Sequence, residues 1–193
     1  MNHLYPIFLK VHQLNVLLIG GGFVATEKLS FLLKSSPEAH VTVVSKEFNE
    51  EFLELAQSAS HVTLIEDAYH EKYLGGKHIV IAATNFPKVN KQIHDEAKER
   101  FILVNVADTP ALCDFYLGGI VTKGNLKIAI STNGKSPTTA KRLRELFEEI
   151  LPEEIDELLE NLNAYRATLK GDFEYKVKAM NEITGKLVEK ERA

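Results

Sequence analysis

Five short stretches of this sequence carry groups that can do chemistry. Gly20-Gly21-Gly22-Phe23-Val24-Ala25 fits G-x-G-x-x-[G/A], follows the apolar run Asn15-Val16-Leu17-Leu18-Ile19 and opens a segment with helical spacing. Without Cβ atoms the backbone turns sharply and approaches a pyrophosphate, whose charge meets free N–H groups and the positive end of the helix. A plain βα turn that needs glycine for positive φ is the competing reading. The strand before and the helix after favour a dinucleotide at Gly20, Gly21, Gly22, Phe23 and Val24.

The other four stretches lie where later strands end. His40 to Val44 ends not in the usual ribose-holding acid but in Ser45-Lys46-Glu47. Ser45 with Lys46 would accommodate a 2′-phosphate, Glu47 would reach a free 2′-hydroxyl, and the same residues suit the start of a solvated helix. Thr84 and Asn85 follow the apolar run to Ala82 and read either as cofactor contacts on the nicotinamide side or as a helix N-cap. Asn105-Val106-Ala107-Asp108 closes the next run, at the strand ends where doubly wound sheets bind ligands. Asp108 is a proton acceptor there, or the initiator of a turn into Thr109-Pro110. Finally Thr132-Asn133-Gly134-Lys135-Ser136 gathers hydroxyls, an amide and an ammonium before a helix carrying Lys141, Arg142 and Arg144. It reads as an anion cradle for a substrate with several carboxylates, or as a well-capped surface helix.

The elements needed to position these groups are legible as an α/β chain. Short β-branched and apolar runs at 15–19, 40–45, 62–65, 77–82 and 101–105 alternate with helical spacing at 23–34, 48–58 and 88–100. Strands apolar on both faces belong to a parallel sheet covered by helices. Pro6 to Val11 reads as one further strand. After Asp108 the alternation stops: 115–122 and 126–131 around Lys123-Gly124-Asn125 read as a β-hairpin, and helices follow from Pro137, from Pro152 and over Phe173 to Glu191.

Composition limits the partners. In 193 residues, 23 Lys+Arg against 27 Asp+Glu give 23 − 27 = −4, without the basic face that nucleic-acid binding requires. No apolar run is long enough for a membrane span, and the N-terminus lacks a signal-peptide pattern. The single cysteine, Cys113, forms no internal disulfide and no metal-ligand cluster is apparent, so a cytoplasmic protein without a metal is expected.

Taken together, Pro6-Ile7-Phe8, the Gly-Gly-Gly-x-Val-Ala-x-x-Lys core ending at Lys28, Ala83-Thr84-Asn85, Asn105-Val106-Ala107-Asp108 and Ser131-x-x-Gly134-x-Ser136-Pro137-x-x-Ala140-x-x-Leu143-Arg144 resemble one family. It is the precorrin-2 dehydrogenase/sirohydrochlorin ferrochelatase family, which includes the N-terminal module of sirohaem synthase. The resemblance implies a Rossmann domain over 1–112, a dimerisation segment with a substrate-facing loop over 113–145, and a helical region over 146–193. It also implies an intertwined homodimer, NAD as hydride acceptor, precorrin-2 as substrate and Asp108 as the catalytic aspartate, with Asn105, Thr132, Asn133, Gly134, Lys135 and Ser136 toward the tetrapyrrole. Some members also insert Fe²⁺, but here all seven histidines lie at or before His94, and nothing in these residues resembles a methyltransferase module. A stand-alone dehydrogenase is the expectation, with a bifunctional chelatase or a non-catalytic redox sensor as alternatives.

Overall fold

The structure is a computed structural model that describes residues 2–185. Five parallel strands form its main sheet: β1 (Asn15–Ile19), β2 (His40–Ser45), β3 (Val62–Glu66), β4 (Ile79–Ala82) and β5 (Leu103–Val106), in the order β3-β2-β1-β4-β5. Helices α1 (Phe23–Ser35), α2 (Glu50–Gln57) and α3 (Pro87–Glu99) connect them, with a single 3₁₀ turn (Glu71–Leu74) standing between β3 and β4. Alternate residues along each strand serve opposite faces. Val16, Leu18, Val41, Val43 and Ile81 pack with Ala25, Leu29 and Phe52 from α1 and α2; Leu17, Ile19, Val80, Val104 and Val106 pack with Ile93 and Ala97 of α3. This is why β1 reads as an unbroken apolar run. Each fully buried Leu, Ile or Val contributes about 1.5–3 kcal/mol.

The expected strand over Pro6 to Val11 does not form. Residues 6–10 have no regular structure, Val11–Gln13 is a 3₁₀ turn, and Ile7 and Phe8 are exposed. The chain here is anchored over a face of the sheet rather than beside an edge, since Val11 and Leu14 pack on the core shared with α1 and α2, and the β5 edge is engaged by other residues. The Val104 N–H donates to the Asp114 carboxylate (3.0 Å) and the Val106 N–H to Cys113 Sγ (3.3 Å), while Asp114 N–H donates to Val104 O (2.8 Å). Side chains thus blunt the ladder. Asn105 Nδ2 also holds Phe115 O at 2.8 Å, so residues 115–118 stay out of the hairpin, which begins only at Gly119.

A second compact unit comprises residues 119–130 and the chain from Pro137 on, whereas Ser131–Ser136 clusters with the first. In the second unit β6 (Gly119–Lys123) and β7 (Leu126–Ile130) form an antiparallel hairpin, followed by α4 (Pro137–Ile150), α5 (Ile155–Thr168) and α6 (Phe173–Thr184). Val121 and Ala140 are buried there. The hairpin turn is tied down by Asp156, whose Oδ1 accepts from Asn125 N (2.6 Å) and Nδ2 (2.9 Å), and by Lys123, which donates to Leu151 O (2.6 Å). α5 starts at Ile155 rather than Pro152, because Pro152 to Ile155 is a turn closed by Ile155 N–H to Pro152 O. The part of the expected last helix beyond Gly185 lies outside the described residues. No helix among those residues is long and apolar enough to cross a membrane.

Candidate active site

The three glycines between β1 and α1 have different reasons to be glycine. Gly20 has φ +125°, and a Cβ on it would lie 2.4 Å from Ala83 O at the end of β4. A Cβ on Gly21 would lie 2.3 Å from Glu47 O, whereas one on Gly22 would meet nothing within 4 Å. Gly20 and Gly21 therefore press the turn against its neighbours, and Gly22 keeps the approach to the helix open. Ala25, fully buried, stands 3.6 Å from the position of a Gly20 Cβ, so a small residue is needed there too.

The first intrahelical bond of α1 is Thr26 N–H to Gly22 O (2.9 Å). The amides of Gly22, Phe23, Val24 and Ala25 precede it and have no acceptor within the helix. Beneath them, Asn49 donates its own N–H to Gly21 O (2.9 Å) and caps α2 by accepting from Phe52 N–H (2.7 Å), leaving its Nδ2 buried without a partner among the described residues.

At the end of β2, the Ser45 hydroxyl donates to Glu47 O at 2.7 Å, closing the loop that Gly21 packs against. Lys46 and Glu47 are exposed. Next to them Asp67 donates its N–H to Ser45 O (3.0 Å), and its carboxylate accepts from the Tyr73 hydroxyl and the Ala68 N–H. The Tyr73 hydroxyl in particular holds the Asp67 carboxyl below its ordinary range.

Beyond β4, Asn90 reaches back from α3 and makes three hydrogen bonds to Thr84: Nδ2 to Thr84 O (3.0 Å), and Oδ1 from Thr84 N–H (3.3 Å) and Oγ1–H (2.6 Å). The helix N-cap is Phe86, with no side-chain cap bond. Asn85 is exposed and its carboxamide makes no hydrogen bond among the described residues.

Asp108 closes β5 in the left-handed region, φ +57°, where Asp and Asn are the non-glycine residues best tolerated. It is exposed, and its carboxylate has no hydrogen-bond or ion-pair partner among the described residues. Asn105 is different. It is buried, and its amide is engaged by Phe115 O and Cys113 Sγ, so it supports the segment after Asp108 from below. Desolvation pushes the Asp114 carboxyl up, but the Lys98 ammonium (2.6 Å) and the Val104 N–H outweigh it, leaving it below its ordinary value. Burial pushes the Cys113 thiol up.

The loop before α4 is a tight turn with positive φ at both Asn133 (+55°) and Gly134 (+72°), closed by Lys135 N–H to Thr132 O (3.1 Å), as an Asn-Gly type I′ turn requires. Thr132 Oγ1 accepts from Ser136 N–H (3.2 Å) and donates to Ser136 O (3.0 Å). Lys135 projects without an ion pair among the described residues. In α4 the basic groups are already matched: Arg144 with Glu148 (2.8 Å) and Arg142 with Glu145 (2.7 Å).

The turn between β1 and α1 fits a dinucleotide: free amides at a helix start, a glycine with open space at the approach, and two glycines locking the turn. Residues 7–119 match an NAD(P)-binding family model. The chain belongs to this NAD(P)-binding family. Residues 123–150 match the central family of sirohaem biosynthesis proteins. Among curated relatives, the sirohaem synthase of Pseudoalteromonas translucida is 41% identical over 88% of this chain, and that of Psychrobacter arcticus is 37% identical over 98%. The chain spans about a third of their length, 35% and 33% respectively. The solved structure of SirC, a precorrin-2 dehydrogenase, matches with a TM-score of 0.76 at 25% identity, covering 93% of this chain and 89% of that one.

Two residues absent from the sequence reading emerge from the geometry. Asn49 left the N-cap signal of an Asn just before Glu50-Glu51-Phe52. Asn90 left a polar residue on the buried stripe Asn90, Ile93, Ala97 of α3. Among the described residues, no group of three or more His, Cys, Asp or Glu is placed to hold a metal ion.

Proposed function

We propose that this chain catalyses the NAD⁺-dependent dehydrogenation of precorrin-2 to sirohydrochlorin. The observation that carries the proposal is Asp108: a carboxylate without a partner among the described residues, fixed in a left-handed turn at the carboxyl end of β5, the sheet end that also carries the glycine turn. In this reading the amides of Gly22, Phe23 and Val24 receive the pyrophosphate, and the Gly20 and Gly21 contacts keep that turn rigid. Lys46 and Glu47 flank the adenine ribose, with Ser45 shaping their loop, and Thr84 and Asn85 face the nicotinamide side. A nicotinamide held there would supply the acceptor for the hydride that the tetrapyrrole loses. Asp108 takes the accompanying proton from the tetrapyrrole carbon and releases it to solvent, so the substrate loses two hydrogens and gains one double bond. Asn133 and Lys135, presented by the turn between Thr132 and Ser136, meet the substrate carboxylates, and Gly134 supplies the turn's positive φ. Asn105 serves from below.

Residues 1–112 would then bind the dinucleotide, 113–145 would provide the hairpin and the substrate-facing loop, and the helices from 146 onward would complete a homodimer. The exposed Leu143, Leu146 and Ile150 of α4 and the half-buried Ile120, Ile128 and Ile130 of the hairpin support an association surface. The reaction would run in the reducing cytoplasm.

The test is anaerobic incubation of the protein with precorrin-2 and NAD⁺, following NADH and the sirohydrochlorin spectrum, beside Asp108→Asn. Wild type forms both products, and the variant binds NAD⁺ but loses about 10²–10⁴-fold in turnover, the usual contribution of a general base. NAD⁺ binding without turnover by wild type would replace this reading with a redox sensor.

A further inference from the structure

We infer that Asn90 is a positioning residue, one that sets the cofactor-facing turn after β4 and through it holds Asn85 in place. The inference rests on the dehydrogenase reading and goes beyond it by naming what makes that turn competent.

Three observations carry it. First, the side chain of Asn90 does for Thr84 what a neighbouring strand would do: it takes the N–H and gives a proton to the C=O, and it also accepts from the hydroxyl. Thr84 comes just after β4 ends at Ala82, where the ladder no longer supplies partners. Second, the bonds run through a buried carboxamide on α3, a helix anchored by Ile93 and Ala97, so the turn inherits the rigidity of the core. Exposed turns do not ordinarily have that support. Third, the turn so fixed begins at Ala83, whose carbonyl presses on Gly20, and continues into Asn85, which is exposed and keeps its carboxamide free.

Apolar packing alone would favour Leu or Ala at a helix position between strand and core. A buried Asn there costs desolvation unless all its polar atoms are used, and here they are used on one residue only. The Thr84 hydroxyl completes the clamp by accepting from Phe86 N–H (3.2 Å), so two side chains, Asn90 and Thr84, hold 84–86, and Asn90 holds both backbone groups of Thr84. Truncating Asn90 leaves both backbone groups of Thr84 without their partner and frees the turn to move.

The experiment is NAD⁺ titration by calorimetry of the full chain, at a temperature well below unfolding, for wild type, Asn85→Ala, Asn90→Ala, Asn90→Asp and the double Ala variant, with thermal unfolding measured alongside. Asn90→Ala and Asn85→Ala are each expected to weaken NAD⁺ binding by about tenfold, the loss of one or two hydrogen bonds. Because both act through the same turn, the double variant is expected to bind no more weakly than the worse single variant. Asn90→Asp turns a carboxylate oxygen toward Thr84 O, where Nδ2 now donates, and is expected to bind NAD⁺ no better than Asn90→Ala; Asn90→Ser, measured with them, is too short to hold both backbone groups of Thr84, is expected to weaken binding likewise, and carries the test if the Ala variant does not fold. Unchanged NAD⁺ affinity in a folded Asn90 variant with a lowered unfolding temperature would reduce Asn90 to a structural residue and overturn the inference. Losses that multiply in the double variant would also overturn it. A wild type that binds no NAD⁺ removes the dehydrogenase reading itself, a result distinguishable from either.

Discussion

The two ends of the parallel sheet treat their polar residues differently. At the amino ends of the strands, polar side chains find partners: Asn15 N–H bonds His78 Nδ1 (3.0 Å), Lys77 Nζ donates to Thr42 Oγ1 (2.6 Å), and the His40 and His61 rings meet edge to face at 4.9 Å. At the carboxyl ends some are spent in the same way, on holding backbone, and others are left over. Ser45, Asn49, Asn90 and Asn105 each bond a main-chain group, and the groups left over, Asn85 and Asp108, have no partner among the described residues. The difference teaches where to look for chemistry: rigid backbone beneath, unspent polar groups above.

Removing Asp108, as Asp108→Asn, is expected to have the largest effect, a 10²–10⁴-fold loss of turnover with the fold intact, because Asn tolerates the left-handed φ that Asp108 adopts. Calorimetric NAD⁺ binding should not change. If the variant kept its turnover, the carboxyl end would lose its claim to the chemistry.

The glycines sharpen the same comparison. Gly20→Ala forces a Cβ to 2.4 Å from Ala83 O at φ +125° and is expected to cost on the order of 3–4 kcal/mol, read by urea unfolding. Gly22→Ala meets only open space, so its stability should stay within about 0.5 kcal/mol while NAD⁺ affinity falls. Equal effects in the two assays would erase the division between turn-locking and ligand-admitting glycines.

Asp114→Asn is expected to destabilise by about 1–2 kcal/mol, since it removes the Lys98 ion pair and weakens the bond to the β5 edge. The Asp114 carboxyl titrates lower folded than unfolded, so its stabilisation is complete above its ordinary value near 3.8 and is lost as pH falls through the lowered folded value. Acid unfolding curves of wild type and variant should therefore converge below about pH 4.

The smallest effect is expected at the amino end. Phe101, 96% exposed, adopts φ +57° where α3 ends, with Ile102 N–H bonding Ala97 O (3.0 Å), a place that suits glycine. Phe101→Gly should stabilise by about 0.5–1 kcal/mol, strain relieved less the entropy gained by the unfolded chain, and leave NAD⁺ binding unchanged.

Much of this arrangement was legible in the residues. Apolar runs without alternation marked strands buried on both faces, and Gly20 to Ala25 marked the first turn, because both signals are local. Ser136-Pro137 marked the start of α4 for the same reason. Pro6 to Val11 was misread since its apolar content says nothing about whether the segment runs beside a sheet edge or over a face. Phe115 to Gly118 was misread because the bond from Asn105 spans ten residues and no short window contains it. Asn90 stayed hidden for a related reason: its position on the stripe was visible, but its partner was not.

The clip on β5 has a consequence for handling the protein. Cys113 Sγ accepts from Val106 N–H and donates to Val106 O, so alkylating that thiol would free one rung of the edge while Asp114 still covers Val104. Partial burial and the raised thiol pKa slow that reaction. A preparation kept without reductant would therefore loosen first at this rung, beginning at a residue with no disulfide partner in its own chain.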